Sequence, residues 1–414
     1  MPIGLIHPTG NPFARQAAQA LAELGELGAI ATSLAYNPDR PWAKSLSHRA
    51  PALAQELSRR TWIAPPGVPL YPYPTREILR LLLLRTGLPQ RCGYNPQRLT
   101  DWVYRGVDRA VARHHLHRWA GVYAYEDGAA AMFAIAASLG LTCFYDLPIV
   151  YYRRSQQIQQ AEADRFPELA PALLSLHEPA AKLARKDFEL HHADRIIVPS
   201  TQVKQSLAPT GIDPDRVSVV PFGAPVDYLY PSPQRDRPVR ILFVGRVGPR
   251  KGVHHLIQGW RSLQPLAAEL HLVGINEFPP GWLDPERDRF TYHPSIPHHH
   301  LIHHYHRASV FVLPSLIEGL ALVLLEAMAC GLPIITTPNS GAADILTDGV
   351  EGWLIPAGDA EAIASRLQWC VEHPDELAAM GRAARRRAEI YTWERYRTRL
   401  KTVITHTLTL PKRS

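Results

Sequence analysis

Residues 308–341 read ASVFVLPSLIEGLALVLLEAMACGLPIITTPNSG. The apolar run Val310 to Leu313 is stopped by Pro314, and a loop carrying Glu318 and Gly319 follows. A helix-like block, Leu322 to Ala329, carries Glu326; Gly331 and Pro333 end it, and Ile334 to Thr337 is a second apolar run. Strand, loop, helix and strand in that order form the repeat of a parallel sheet. Two carboxylates in so apolar a segment need a purpose, because burying an unpaired charge is costly. Ligands of open α/β sheets sit beyond the carboxyl ends of the strands, and Glu318 lies just past one.

The same repeat extends on both sides. Toward the N-terminus the pattern predicts strands at Val239 to Val244, Glu269 to Val273 and Arg289 to Tyr292. Toward the C-terminus it predicts a strand at Gly352 to Ile355 and helices at Ala360 to Glu372 and Trp393 to about Thr407. The first half predicts strands at Ile3 to His7, Gly121 to Tyr125, Leu141 to Tyr145, Arg195 to Val198 and Val217 to Val220. Helices are expected at about Ala14 to Leu24, Glu77 to Thr86, Ala129 to Leu139 and Pro179 to Ala193. The four leucines of EILRLLLLRT, residues 77–86, fit a core helix, with an amphipathic element lying on a membrane surface as the second reading. Proline and charge dominate PVDYLYPSPQRDRP, residues 225–238, which reads as a linker. The expected organisation is therefore a first domain at 1–224, a linker at 225–238, a second domain at 239–390, and a last helix within 391–414 packing back on the first domain.

With 414 residues, two domains are the natural division. Hydrophobic residues make up 46% and charged residues 20%, ordinary for a globular protein, and no apolar run is long enough to span a membrane. The opening MPIGLIHPTGNP has no basic region before a long apolar core, so no secretory signal is expected. Cys92, Cys143, Cys330 and Cys370 are isolated, which suits a reducing compartment. The expected location is the cytoplasm, with peripheral contact at the inner face of the membrane as a further expectation. A net charge of +7 favours anionic partners such as phosphates or headgroups. Nucleic acid is not expected, since no recognition motif or basic tail stands out.

Three features carry chemistry. Seven residues separate Glu318 from Glu326. A helical rise puts them roughly 12 Å apart. That is too far for the paired carboxylates of glycoside hydrolysis, which need about 5–10 Å. It suits hydroxyl groups at two ends of one elongated ligand. Gly245 and Arg246 open a loop that closes with Lys251 and Gly252, and a guanidinium fork beside a mobile ammonium suits a pyrophosphate. The positive end of the helix after Gly319, Leu320 and Ala321 faces the same place. In the first domain Gly10, in the turn Pro8 to Pro12, has two readings: N–H groups turned to a phosphate, or a tight turn. Asp146 closes a strand where no helix needs a cap, while Glu126 and Asp127 have helix capping as their simpler role.

Glu318 and Glu326, the surrounding EGLALVLLEAMACGLPIITT, and Gly245-Arg246 with Lys251-Gly252 resemble the GT-B retaining glycosyltransferases of family 4 (glycosyl transferases group 1). The resemblance is strongest from about residue 240 to 390. It implies two Rossmann-like α/β domains facing across a cleft, and transfer of a hexose-type sugar from a nucleotide sugar to a glycan, a lipid-linked or a small-molecule acceptor. It implies that Glu318 contacts the transferred sugar, Glu326 holds the ribose, and Arg246 and Lys251 neutralise the diphosphate. It also implies that no metal is required. Donor contacts are expected from Gly10, Gly245, Arg246, Lys251, Glu318, Gly319, Leu320, Ala321 and Glu326, and catalytic roles for Glu318, Arg246, Lys251 and Asp146. Asp146 stands where relatives carry a histidine, and Thr9-Gly10-Asn11 where many carry a Gly-Gly loop. These departures motivate an alternative, a nucleotide-sugar-binding or partner protein of the same shape with reduced or no catalysis. A dinucleotide-dependent oxidoreductase is disfavoured because no GxGxxG occurs. Asp213-Pro214-Asp215 is expected to be structural, and the histidines of 298–306 are expected to form a surface helix rather than a zinc site.

Overall fold

Thirteen short strands assemble into two parallel sheets in a computed structural model that describes residues 2–86, 96–232, 238–263 and 267–410. The first sheet contains β1 (Ile3–Ile6), β2 (Leu27–Thr32), β3 (Leu70–Pro72), β4 (Gly121–Tyr125), β5 (Thr142–Asp146), β6 (Arg195–Val198) and β7 (Val217–Val219), in the order β3-β2-β1-β4-β5-β6-β7. The second contains β8 (Val239–Val244), β9 (Ala268–Val273), β10 (Thr291–His293), β11 (Val310–Leu313), β12 (Ile334–Thr336) and β13 (Gly352–Leu354), in the order β10-β9-β8-β11-β12-β13. Every pairing is parallel. The strand order reverses beside β1 in one sheet and beside β8 in the other, which opens a crevice at each carboxyl edge.

Helices cover both faces. Pro12–Glu23 buries Ala14, Ala17, Ala18, Ala20 and Leu21, small side chains that bring its backbone close to the sheet. The last helix, Trp393–Thr409, lies across it, where Arg397 and Lys401 each reach Glu23 at 2.7 Å. Between the sheets, Gly319 packs so tightly that an added Cβ would stand 1.9 Å from the carbonyl oxygen of Pro148. Ser200 Oγ donates to the Gly319 carbonyl at 2.6 Å, and the Thr201 N–H to Asp344 Oδ2 at 2.5 Å. The two carboxyl edges are therefore in contact on this side of the cleft.

Several elements differ from expectation. β2 (LGAIAT) and β3 (LYP) were not anticipated, because Gly, Ala and Pro give no strand signal; β2 is held by burial between its neighbours. The expected strand at 289–292 is Thr291–His293, a 3-10 turn occupying Asp284–Arg289. Helices Pro96–His114, Tyr152–Arg165 and Pro374–Ala388 are additional. The leucine-rich helix, Pro74–Thr86, is not a core helix. Ile78, Leu79 and Leu82 are 46%, 45% and 54% exposed, and its buried residue is Glu77. Glu77 is clamped by buried Arg60 and by Arg80 at 2.7 Å. Pairing a carboxylate that must be buried decides which face turns inward. Cys92 and residues 233–237 of the expected linker lie outside the described residues. Cys143, Cys330 and Cys370 are buried and form no disulfide. No helix among the described residues is long and apolar enough to cross a membrane.

Candidate functional site

Adjacent strands place their loops side by side. β8 and β11 are neighbours, so the loop 245–252 after one meets the loop 314–321 after the other at the carboxyl edge of the second sheet. Leu316 N–H donates to the Arg250 carbonyl at 3.0 Å, and Arg250 Nη1 donates to the Ile317 carbonyl at 2.9 Å. These bonds fix where the side chains arrive. Glu318, 9% exposed, receives Lys251 Nζ at 2.5 Å and Arg250 Nη1 at 2.6 Å, both on Oε1. Burial alone would raise the Glu318 pKa, but the charges of Arg250 and Lys251 outweigh it and hold the carboxyl below its usual range. Burial draws Lys251 below the usual ammonium range despite Glu318. Two cations share one carboxylate, so the cluster carries a net positive charge suited to an anionic ligand.

Glu318 and Lys251 are thus brought together, but the guanidinium that joins them belongs to Arg250, not Arg246. Arg246 points outward and pairs with Glu277 at 2.5 Å. Arg250 was visible in the loop, yet spacing alone does not say which of two arginines in a glycine-rich turn faces inward. Gly245 continues the edge of the sheet, its N–H donating to the Val273 carbonyl at 2.9 Å. In the turn Glu318 to Ala321, the Glu318 and Ala321 N–H groups donate to the carbonyls of Asn339 and Ser340 at 3.0 and 3.2 Å, while buried Leu320 packs into the core.

Glu326 is buried on the helix Leu322–Ala329. Its Oε2 accepts from Tyr305 Oη at 2.8 Å and its Oε1 pairs with His298 Nε2 at 2.9 Å. That hydrogen bond raises the pKa of His298 above its ordinary value, against the effect of burial. The histidine run is therefore not one cluster. His298 serves Glu326, His306 Nε2 meets the Tyr230 carbonyl at 2.8 Å, and His303 and His304 line a small cavity with His271, His293, Arg240 and Arg307. Among the described residues, metal-ligand spacing occurs elsewhere, at Glu162, His254 and His255.

In the first domain, Asp146 is 2% exposed and accepts from Tyr123 Oη at 2.6 Å. Burial pushes its pKa up to about 7, an effect that the Tyr123 hydrogen bond only partly offsets. Its carboxyl is closed off from solvent. Gly10 has a packing reason: a Cβ there would lie 2.1 Å from the Thr61 carbonyl oxygen. Glu126 and Asp127 do not cap the following helix, Ala130–Ser138. Its first N–H groups donate instead to Glu189 and Asp108, while Asp127 pairs with Lys182 at 3.0 Å and Glu126 with Lys186 at 3.2 Å. Asp213 accepts from the Asp215 N–H at 2.9 Å and caps a 3-10 turn, a structural role.

Residues 231–387 match the family described as "Glycosyl transferases group 1". The D-inositol 3-phosphate glycosyltransferase of Kribbella flavida is 27% identical over 61% of this chain and 69% of its own length. The corresponding protein of Geodermatophilus obscurus is 30% identical, and the chain spans only about half (54%) of its length. Among solved structures, sucrose-phosphate synthase from Thermosynechococcus elongatus has the same fold at a TM-score of 0.65, with 20% identity and 99% of both chains covered. HepE from Anabaena, in complex with UDP-glucose, gives 0.59 at 16% identity, covering 98% of this chain and 100% of its own. These structures establish the two-domain GT-B architecture.

Proposed function

We propose that this chain, whose residues 231–387 match the group 1 glycosyltransferases, moves a hexose-type sugar from a nucleoside diphosphate sugar to a glycan, lipid-linked or small-molecule acceptor, with retention and without a metal. The observation that carries this reading is the meeting of Lys251 and Arg250 on Glu318 at the carboxyl edge between β8 and β11. Negative charge grows on the leaving diphosphate as the bond to the sugar breaks. Lys251 and Arg250 stabilise that charge more in the transition state than in the ground state, the condition for catalysis. They are fixed before substrate arrives, so little reorganisation is needed. Arriving diphosphate competes with Glu318 for the two cations and frees its carboxylate for a sugar hydroxyl. Glu326, aligned by His298 and Tyr305, receives the ribose hydroxyls. Arg246 gives up Glu277 to reach the outer phosphate. The UDP-glucose bound by HepE supports a nucleotide sugar as the donor class.

Asp146 is enclosed at the end of β5 and supports the edge of the cleft from within. A peripheral contact with membrane lipid is the second partner we infer. Residues 39–86 hold eight Arg and Lys against three Asp and Glu, most of the surplus positive charge of the chain, and expose Trp42, Ile63, Ile78, Leu79 and Leu82.

Incubation with a panel of nucleotide sugars and acceptors in chelator tests the assignment. Release of nucleoside diphosphate is expected with one donor. Tight donor binding with no release from any pair supports the alternative, a catalytically silent binding protein. Activity lost in chelator and restored by manganese contradicts the metal-free mechanism.

A further inference from the structure

Glu162 lies on the helix Tyr152–Arg165 of the first domain. His254 and His255 are the second and third residues of the helix Val253–Arg261 in the second domain, which starts directly after Lys251-Gly252. Across the boundary, Glu162 Oε1 accepts from His254 Nε2 at 2.5 Å and from His255 Nε2 at 2.7 Å. All three side chains are buried. One turn further on, Phe166 sets its ring edge-on to both imidazoles, with centroids at 5.0 and 5.5 Å, and Arg165 Nη1 donates to the Gly358 carbonyl at 3.2 Å. The first domain thus clasps the segment that carries the two cations of the site.

We propose that Glu162 is a positioning residue that pins the segment 250–255 to the first domain and holds the cleft closed with Lys251 in place, a role that rests on the donor-site reading above. The hydrogen-bond pattern defines the chemistry of the pin. Each imidazole donates through Nε2, and each buried Nδ1 has no hydrogen-bond partner among the described residues, so a second proton there would be a buried N–H without an acceptor among them. Two imidazoles donating to one carboxylate form charge-assisted bonds that exist only while the domains touch. Donor atoms this close also have the spacing for a cation. Against that, metal-bound histidines hold their other N–H on an acceptor, and neither does here. Hydrogen bonding is what the geometry carries.

The test uses the full ligand-free chain, comparing wild type, Glu162→Ala, Glu162→Gln and the double variant His254→Ala/His255→Ala. Small-angle X-ray scattering is expected to show a larger radius of gyration for Glu162→Ala and for the double variant. Glu162→Gln, which keeps the acceptor oxygen, is expected to match wild type. With a donor in hand, Glu162→Ala should lower kcat about tenfold while the affinity for the free nucleoside diphosphate changes less than about threefold. The double variant keeps the test open if Glu162→Ala does not fold. Wild-type scattering from both would overturn the pin. So would one equivalent of zinc in the purified protein that Glu162→Ala loses, which would make the cluster a metal centre. Scattering needs no turnover, so the pin and the donor-site reading fail separately.

Discussion

Two cations on one carboxylate make Glu318 the residue on which the proposed donor site turns. Replacing it by Ala leaves Lys251 buried without its anion and removes the proposed contact to the sugar. Turnover should fall about a hundredfold. Glu326→Ala acts differently: it removes the acceptor of His298 and Tyr305 and the proposed acceptor of the ribose hydroxyls, so nucleoside diphosphate affinity should drop about tenfold, as read by titration calorimetry. Equal affinity in wild type and Glu326→Ala would sink the ribose assignment. Asp146 predicts a pH effect. Folded, it keeps its proton up to about pH 7. Unfolded, it loses the proton near its ordinary value of about 4. Between these values the native state binds more protons, so its contribution to stability declines as pH rises through the window. Asp146→Asn keeps the acceptor for Tyr123 and removes the titration. From about pH 4.5 to about pH 7.5 the variant should gain roughly 1–3 kcal/mol on wild type in urea unfolding. A difference that is flat with pH contradicts the burial argument. The apolar setting of Glu318 and Glu326 announced two buried, partnered carboxylates, and both are. The inward turn of Arg250 in place of Arg246, and the inward turn of Asp146, are set by neighbours far away in sequence, such as Ile317 and Tyr123.

The helix Pro74–Thr86 shows how an element can invert its composition. Four leucines suggest a core face, yet the packed face is chosen by Glu77 with Arg60 and Arg80. Breaking a buried pair strands the remaining charge, so Glu77→Ala should cost about 3–5 kcal/mol in urea unfolding. Leu79→Glu with Leu82→Glu changes exposed positions and should leave that stability within about 0.5 kcal/mol. The same double variant should abolish co-sedimentation with vesicles rich in anionic lipid. Undiminished sedimentation would remove this surface from the membrane contact. Periodicity found the helix but not its orientation, because the partner Arg60 lies on another segment. β2 and β3 escaped for a related reason: Gly28, Ala29, Ala31 and Pro72 become strand residues through their neighbours, not their propensity. Strands β8, β9, β11 and β12 of the second sheet, rich in Val, Ile and Leu, declared themselves.

Across the whole molecule, the sheet order brings the loops of β8 and β11 together, and the contacts of Gly319, Ser200, Asp344 and Glu162 set this assembly against the first domain. That division of labour explains what the chain disclosed. The second domain builds its site from two neighbouring loops and a following helix, short-range features that survive in sequence. The cleft is made of contacts between distant segments, which no spacing records. On the proposed reading, Lys251, held by Glu318, stabilises the departing diphosphate. The measurement that tests it most directly is single-turnover release of nucleoside diphosphate by Lys251→Met in the presence of chelator, with the donor that wild type accepts. The expected result is a rate at least about a hundredfold lower, with donor affinity changed far less. A Lys251→Met protein that releases the diphosphate at the wild-type rate would contradict the account.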